Sequence, residues 1–460
     1  MNPRLLEWCK RLIATPSVTG DGTRGIAELC AAELLGPAGI AARLISSIRE
    51  GANHVNLLAV VRGRDPAATP LVLNTHLDTV PPGDLADWTA SGGDPFAPTV
   101  IGDRIHGLGA ADTKLDFVAK AIALIECGAP RRTTYLVATF GEEHGLVGAK
   151  EIVEAGLIPA GALAFVGEPS QLKLITAHKG LSVFEIEIGF QPSRFDGAIS
   201  AQRSIFIGRA AHSSTPAMGV NAIRMALAAA CAHPQLNIIA IKGGDAVNKV
   251  AARCEIIAAG DSAHLLSGAA EAKAVADVRG ELIPPQAISV ASRFVEQLYE
   301  FAERAGPRED DFAAPTLTCN VGIIETAPGC IRMEFELRSP PSLALDELRS
   351  RVEALVNDIS AGAPGVRLTL RQRRANPGFR CAPGSETVEC AMAAMARAGL
   401  PLETGVKAGC TEAGVYAAAG LKPVVIGPGP SVGVIHAPNE YNLLTEVDAA
   451  VRFYRALLEA

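Results

Sequence analysis

Leu71-Val72-Leu73-Asn74-Thr75-His76-Leu77-Asp78 is a short apolar run that ends in two side chains able to do chemistry, His76 and Asp78. Three more runs share its form: Tyr135-Leu136-Val137, Ala164-Phe165-Val166 and Val424-Val425-Ile426, each bounded by turn residues. Stretches with helical spacing, such as residues 114–126, separate them. Apolar runs without polar alternation suit strands covered on both faces, and helical connections between such strands make parallel neighbours. The expected fold class is α/β, with a mostly parallel, helix-covered main sheet.

Outward from that core, Leu5, Leu6, Cys9, Leu12 and Ile13 recur at helical spacing, and Thr23 is expected to cap a helix running through Leu35. The texture changes between about residues 180 and 375. Segments 182–188 and 331–337 alternate as half-buried strands do, and residues 221–232 and 287–304 carry long helical patterns. After that the chain returns to the α/β style and ends in an amphipathic helix over 446–458. The expected division is a discontinuous domain of residues 1–180 plus 376–460, with an inserted α+β domain of residues 181–375.

At 460 residues and 48% hydrophobic content the chain exceeds what one core usually organises. The net charge of −7 gives no electrostatic footprint for nucleic acid or an anionic membrane, and no run of apolar residues has membrane-spanning length. A cytoplasmic protein acting on small molecules is expected. The ten cysteines contain no Cys-x-x-Cys pair, so thiolate metal sites and redox motifs are unsupported, and buried inert thiols are expected except for Cys410 in its Gly-Cys-Thr-Glu loop.

In an open α/β sheet, ligands bind beyond the carboxyl ends of the strands. Residues that follow the apolar runs are therefore the first candidates: His76 and Asp78, Glu142 and Glu143, Glu168, and His436 in the glycine-proline loop. Asp112 opens the helix that starts near Lys114. Singly, each is more simply a turn or cap residue. Jointly, several carboxylates and two histidines at one sheet edge would repel or stay undersolvated without a cation, and this N/O mixture suits divalent metals. Asp112, Glu143, Glu168 and a bound hydroxide together balance two divalent ions, which in such enzymes lie about 3.5–4 Å apart. Rival motifs are weak: Gly107-x-Gly109 lacks a third glycine, and Gly427-Pro428-Gly429-Pro430 has prolines where a phosphate cradle needs N–H groups.

The ordered motifs HLDTVP, GLGAADTK, GEEHG, VGEPS, AHKG, GRAAHSSTPAMGVNAI and IGPGPSVGVIHAPNEY span nearly the whole chain. In that order they resemble the dinuclear zinc hydrolases of peptidase family M20, which include acetylornithine deacetylase, succinyl-diaminopimelate desuccinylase, aminoacylase and glutamate carboxypeptidase. The resemblance implies that His76 and Glu168 hold one metal, Glu143 and His436 the other, and that Asp112 bridges them. It implies Asp78 behind His76, fixing its tautomer. Glu142 becomes the general base acting on the metal-bridging water, and the inserted domain becomes a lid whose His212 stabilises the oxyanion. The ions are expected to be Zn2+, with Co2+ or Mn2+ able to substitute.

The sequence departs from the family in the lid. Members carry an asparagine in a short turn before a proline and then an arginine at the end of the next strand, both for the substrate carboxylate. Here Arg338 and Asn248 stand far apart, in Phe335-Glu336-Leu337-Arg338 and Asn248-Lys249-Val250-Ala251. Extra sequence near 191–202 and 261–316 suggests two lid halves, with His212 and Asn248 on one and Arg338 on the other. The chain is then either a homodimer or a self-sufficient monomer. His178, in AHKG, is expected to line the pocket, while His54, His106, His144, His233 and His264 are expected to be structural or solvent-facing.

The expected activity is hydrolysis of the amide bond of a small N-acyl amino acid. A dipeptidase or carboxypeptidase on the same residues is the nearest alternative. A non-catalytic metal-binding protein is disfavoured, because a structural metal site has no need of Glu142 beside Glu143.

Overall fold

A computed structural model describes residues 2–194, 199–260, 266, 268–278 and 281–460. His264 and parts of the two extra segments lie outside the described residues. The described chain forms two compact units, residues 1–178 with 379–460, and residues 179–378.

The first unit is built on a nine-stranded mixed sheet. Its centre is parallel: Leu71–His76 lies between Thr134–Thr139 and Leu163–Val166, and Lys422–Val425 extends the set beyond Leu163–Val166. Antiparallel strands Ala42–Arg49 and Ala52–Val61 finish one edge. Every residue of Leu71–His76 and Leu163–Val166 is buried, as the unbroken apolar runs require. Helices Pro3–Ile13, Lys114–Cys127, Glu386–Ala398 and Leu444–Glu459 contribute to the same core. Lys114–Cys127 is buried through Leu124 and packs against the terminal helix Leu444–Glu459, which explains its nearly all-round apolar sequence.

Thr23 departs from expectation. The helix it precedes runs only over Arg24–Leu29 and continues as a π-helical segment, Cys30–Leu35. The Thr23 side chain makes no cap bond; its hydroxyl accepts instead from Val55 N at 3.0 Å, tying the turn to the neighbouring strand. A tertiary partner has displaced the local one. All ten cysteines are unbridged, and burial pushes the Cys9 and Cys30 thiols up to about 12.

The second unit holds an eight-stranded sheet that is antiparallel throughout, in the order 271–278, 199–207, 253–259, 237–243, 318–327, 330–339, 180–189, 367–376. The order is palindromic. Each half has its fourth strand outermost, then its first, third and second, and the two halves join through their second strands, Asn237–Gly243 and Thr318–Ala327. Helices Ala222–Ala232, Pro285–Arg304 and Leu345–Ala361 share a core with Ile331, Met333, Phe335 and Leu337. The alternate residues of that strand, Arg332 and Glu334, are only half-buried, which is the period of two seen in sequence. Among the described residues, no helix is long and apolar enough to cross a membrane.

Candidate metal centre

The four parallel strands of the first unit point their carboxyl ends at one edge. His76 ends its strand, Glu142 and Glu143 follow Thr139, Glu168 follows Val166, and a loop from Val425 carries His436. Asp112 sits at the middle of this edge. Its Oδ1 lies 3.1 Å from His76 Nε2 and its Oδ2 lies 3.3 Å from His436 Nε2. His436 Nε2 also lies 3.1 Å from Glu143 Oε1. One ligand atom each from Asp112, Glu143 and His436 falls within 4.8 Å of the others, the spacing of a shared cation. His436 is held with φ of 55°, a left-handed backbone uncommon for a side chain of its size.

The electrostatics show what such a cluster demands. His436 is pushed up to about 10 by its hydrogen bonds to Asp112 and Glu143. Burial works against a charge on His76, yet bonds to Asp112 and Asp78 hold its pKa well above the usual value. Burial pushes the Glu142 carboxyl well above the carboxylate range, reinforced by neighbouring Glu168, and burial also raises Glu143. Positive charge is thus drawn to both histidines that clasp Asp112.

Asp78 has a more specific place than the resemblance implies. His76 Nδ1 is 3.0 Å from the Asp78 main-chain oxygen and 3.6 Å from its carboxylate. That carboxylate accepts from the backbone N–H groups of Glu142 and Glu143 at 3.2 and 3.3 Å and from Thr19 Oγ1 at 2.8 Å. Asp78 therefore orients the histidine through its main chain and the Glu142–Glu143 turn through its side chain.

Two residues absent from the sequence reading belong to this edge. Lys407, at the end of Thr404–Lys407, places Nζ 2.8 Å from Glu168 Oε2. Glu440 is buried and accepts from the N–H groups of Gly109, Ala111 and Asp112 at 3.2, 2.8 and 2.9 Å, shaping the loop that presents Asp112. Glu440 lies within the HAPNEY motif, so its signal was available; Lys407 carries none. His178 is buried, accepts from Thr411 N at 3.1 Å and packs edge-on against Phe379. His106 contacts Asn439 O, His233 contacts Ala229 O, His54 stacks on Phe140, and His144 is exposed.

His212, Asn248 and Arg338 all lie in the second unit, where local contacts link them. Arg338 is buried rather than solvated: Nε donates to Glu336 at 2.7 Å and Nη2 to Ser213 Oγ at 3.3 Å. Ser213 N donates to Asn248 O at 3.1 Å, and His212 forms a β-bridge with Lys249. Asn320, opposite Glu336 in the sheet, donates to Val247 O and Lys249 O and so fixes the loop bearing Asn248.

Residues 72–460 match Peptidase family M20/M25/M40. The chain belongs to that family. The acetylornithine deacetylase of Erwinia tasmaniensis is 31% identical over 281 residues, 55% of this M20 chain and 66% of that protein, so the match spans just under two thirds of its length. The acetylornithine deacetylase of Shigella sonnei is 26% identical over 453 residues, 95% of this chain and 93% of that one. Among solved structures, the aminoacylhistidine dipeptidase of Vibrio alginolyticus shares the fold with a TM-score of 0.67 at 16% identity, covering 100% of this chain and 96% of that one. The Bacillus subtilis YXEP protein, described as a dinuclear metal binding peptidase of the M20 family, has a TM-score of 0.55 at 14% identity, covering 99% and 96%.

Proposed function

We propose that this M20 chain is a metal-dependent amidase that cleaves the C–N bond of a small N-acyl amino acid. The observation that carries the reading is Asp112, whose two carboxylate oxygens face His76 and His436 separately while Glu143 joins His436. The donor set fits divalent cations: imidazoles and carboxylates are ligands that zinc takes, and one ligand atom each from Asp112, Glu143 and His436 already lies within 4.8 Å of the others. His76 and Glu168 would hold one ion, Glu143 and His436 the other, with Asp112 common to both. Co2+ or Mn2+ could occupy the same donors. When bound, such ions lower the pKa of water and polarise the scissile carbonyl.

The chain's own residues supply the rest. Glu142 is held beside the cage by the Asp78 contact to its N–H, where its carboxylate would take a proton from the attacking water and return it to the departing amine. On the second unit we assign His212 to the developing oxyanion, and Arg338 with Asn248 to the substrate carboxylate. The planar guanidinium suits two parallel bonds to a carboxylate, and Glu336 pre-orients it. The palindromic sheet supports a doubled lid, in which His212 and Asn248 come from one half and Arg338 from the other, so that a monomer completes its own site. An obligate dimer in sedimentation, with activity restored by mixing His212 and Glu142 variants, rejects that part.

A panel of N-acetyl, N-succinyl and dipeptidyl amino acids assayed with and without chelator tests the activity. Chelator-sensitive turnover of the N-acyl substrates is expected. Preference for dipeptides instead identifies a dipeptidase or carboxypeptidase on the same residues, and no turnover of any member rejects an amidase.

A further inference from the structure

Directly beneath the proposed cage lies a charged cluster that the chemistry above does not use. Asp116 and Lys120, one turn apart on helix Lys114–Cys127, are both wholly buried and form an ion pair of 2.7 Å. The ammonium also donates to Asn74 O, to Thr75 Oγ1 at 3.0 Å and to Phe165 O at 3.2 Å. Thr75 donates its hydroxyl to Asp116 Oδ2 at 2.6 Å. Tyr454, from the terminal helix, places its hydroxyl within reach of Asp116 Oδ1 and 3.0 Å from Ile426 O.

The location gives this cluster its meaning. Strands Leu71–His76 and Leu163–Val166 hold their register as far as Asn74 and Val166, and Gly167 N still donates to Asn74 O at 2.8 Å. Beyond that point they separate, one to deliver His76 and the other Glu168. Lys120 binds a main-chain oxygen from each strand at the point of separation, and Tyr454 reaches the end of the third strand, from which the loop to His436 departs. The fit is close. A Cβ on Gly167, the residue before Glu168, would lie 1.8 Å from Asp116 Oδ2, and one on Gly427 would lie 2.6 Å from Glu168 O and 3.2 Å from Asp116 Oδ1. Two ions buried together repay their desolvation only with excellent geometry, so such a pair is weak as a source of stability and better suited to fixing one arrangement.

We propose that Asp116, Lys120 and Tyr454 are positioning residues that set the separation of His76 and Glu168, and through it the affinity of the ion those two share. The inference rests on the metal-cage reading and adds residues that touch neither metal nor substrate. Groups that orient ligands from behind typically change metal affinity about 10- to 100-fold when removed.

The test is a chelator-competition titration of the full-length protein with Zn2+, run beside thermal melts of the metal-free form. The variants are Asp116→Asn combined with Lys120→Met, then Tyr454→Phe, and the pair Thr75→Val and Thr75→Ser. Ile122→Val serves as a core control on the same helix. One of the two binding steps is expected to weaken about 10- to 100-fold in the double variant and in Thr75→Val, with Thr75→Ser near wild type. Tyr454→Phe is expected to weaken the same step, and Ile122→Val to lower the melting temperature without changing either step. If the double variant does not fold, Tyr454→Phe and the Thr75 pair decide. Wild-type affinity for both ions in every folded variant, whatever the melting temperatures, overturns the positioning role. Absence of Zn2+ binding by the wild-type protein overturns the cage reading itself, a different and distinguishable failure.

Discussion

The two polar clusters of this M20 chain solve opposite electrostatic problems. At the carboxyl edge of the first unit, Asp112, Glu142, Glu143 and Glu168 gather with His76, His436 and Lys407, and burial and mutual contact displace the pKa values of Asp112, Glu142, Glu143 and His436. In the second unit Arg338 and Glu336 are both buried and neutralise each other within 2.7 Å. That pair balances its own charge, with Glu336 Oε2 left without a hydrogen-bond partner among the described residues. An acid-rich cluster attracts cations where a charge-balanced pair does not, and the roles proposed for the two clusters rest on that contrast.

Breaking the acid-rich side should have the largest effect. Glu142→Gln is expected to lower kcat by about 10²- to 10⁴-fold with metal content unchanged, measured by steady-state kinetics and elemental analysis. Loss of metal along with activity would make Glu142 a ligand instead. Stripping the ions should lower the melting temperature, by the equivalent of about 4 kcal/mol for each ion when free metal stands at about a thousand times its Kd. Equal melts of stripped and loaded protein would remove the need for a cation.

The pH dependence of the stripped protein sharpens the same point. Burial pushes Glu412 up to about 7 and Glu440 up to about 8, both above the ordinary carboxylate value. Between that value and 8 the folded state therefore binds more protons than the unfolded chain. Stability is full below the ordinary range and is lost as pH rises through about 7 for Glu412 and about 8 for Glu440, by on the order of 3 and 5 kcal/mol respectively. Melts of the metal-free protein should fall from pH 5 to about 7, below the range in which the buried Lys114 adds a contribution of opposite sign, and Glu412→Gln should flatten the slope. A stability that rises with pH across this window contradicts it.

The self-neutral side should respond least in chemistry. Arg338→Ala should raise KM for carboxylate substrates about 10-fold or more, as expected for loss of a charge-assisted bond, without altering metal content. The same variant leaves Glu336 buried without its partner, so its melting temperature should also fall. Unchanged kinetics toward every carboxylate substrate would remove Arg338 from recognition.

Legibility in sequence followed the same divide. His76, Glu143, Glu168 and His436 could be gathered from sequence because a parallel sheet sends whatever follows each strand to one edge, so order along the chain predicts place in space, whereas Asp112 precedes helix Lys114–Cys127 and was gathered by its motif. Lys407 could not: Thr404–Lys407 is short and mostly polar, and its partner Glu168 is 239 residues away. Glu440 acts on backbone N–H groups, which leave no residue-type pattern at the far end. The i,i+4 spacing of Asp116 and Lys120 does not by itself tell a surface pair from a buried one, and only the packing of Lys114–Cys127 shows both to be buried. In the second unit Arg338 stood out as a strand-end arginine, but its tie to Asn248 through Ser213 depends on loop contacts that periodicity does not encode.

The most direct measurement is the number of divalent ions retained per chain after dialysis against metal-free buffer, in the wild type and in Asp112→Asn. A shared carboxylate predicts about two ions in the first and a loss of at least one in the second. The same count in both, or no retained ion in either, would contradict the account.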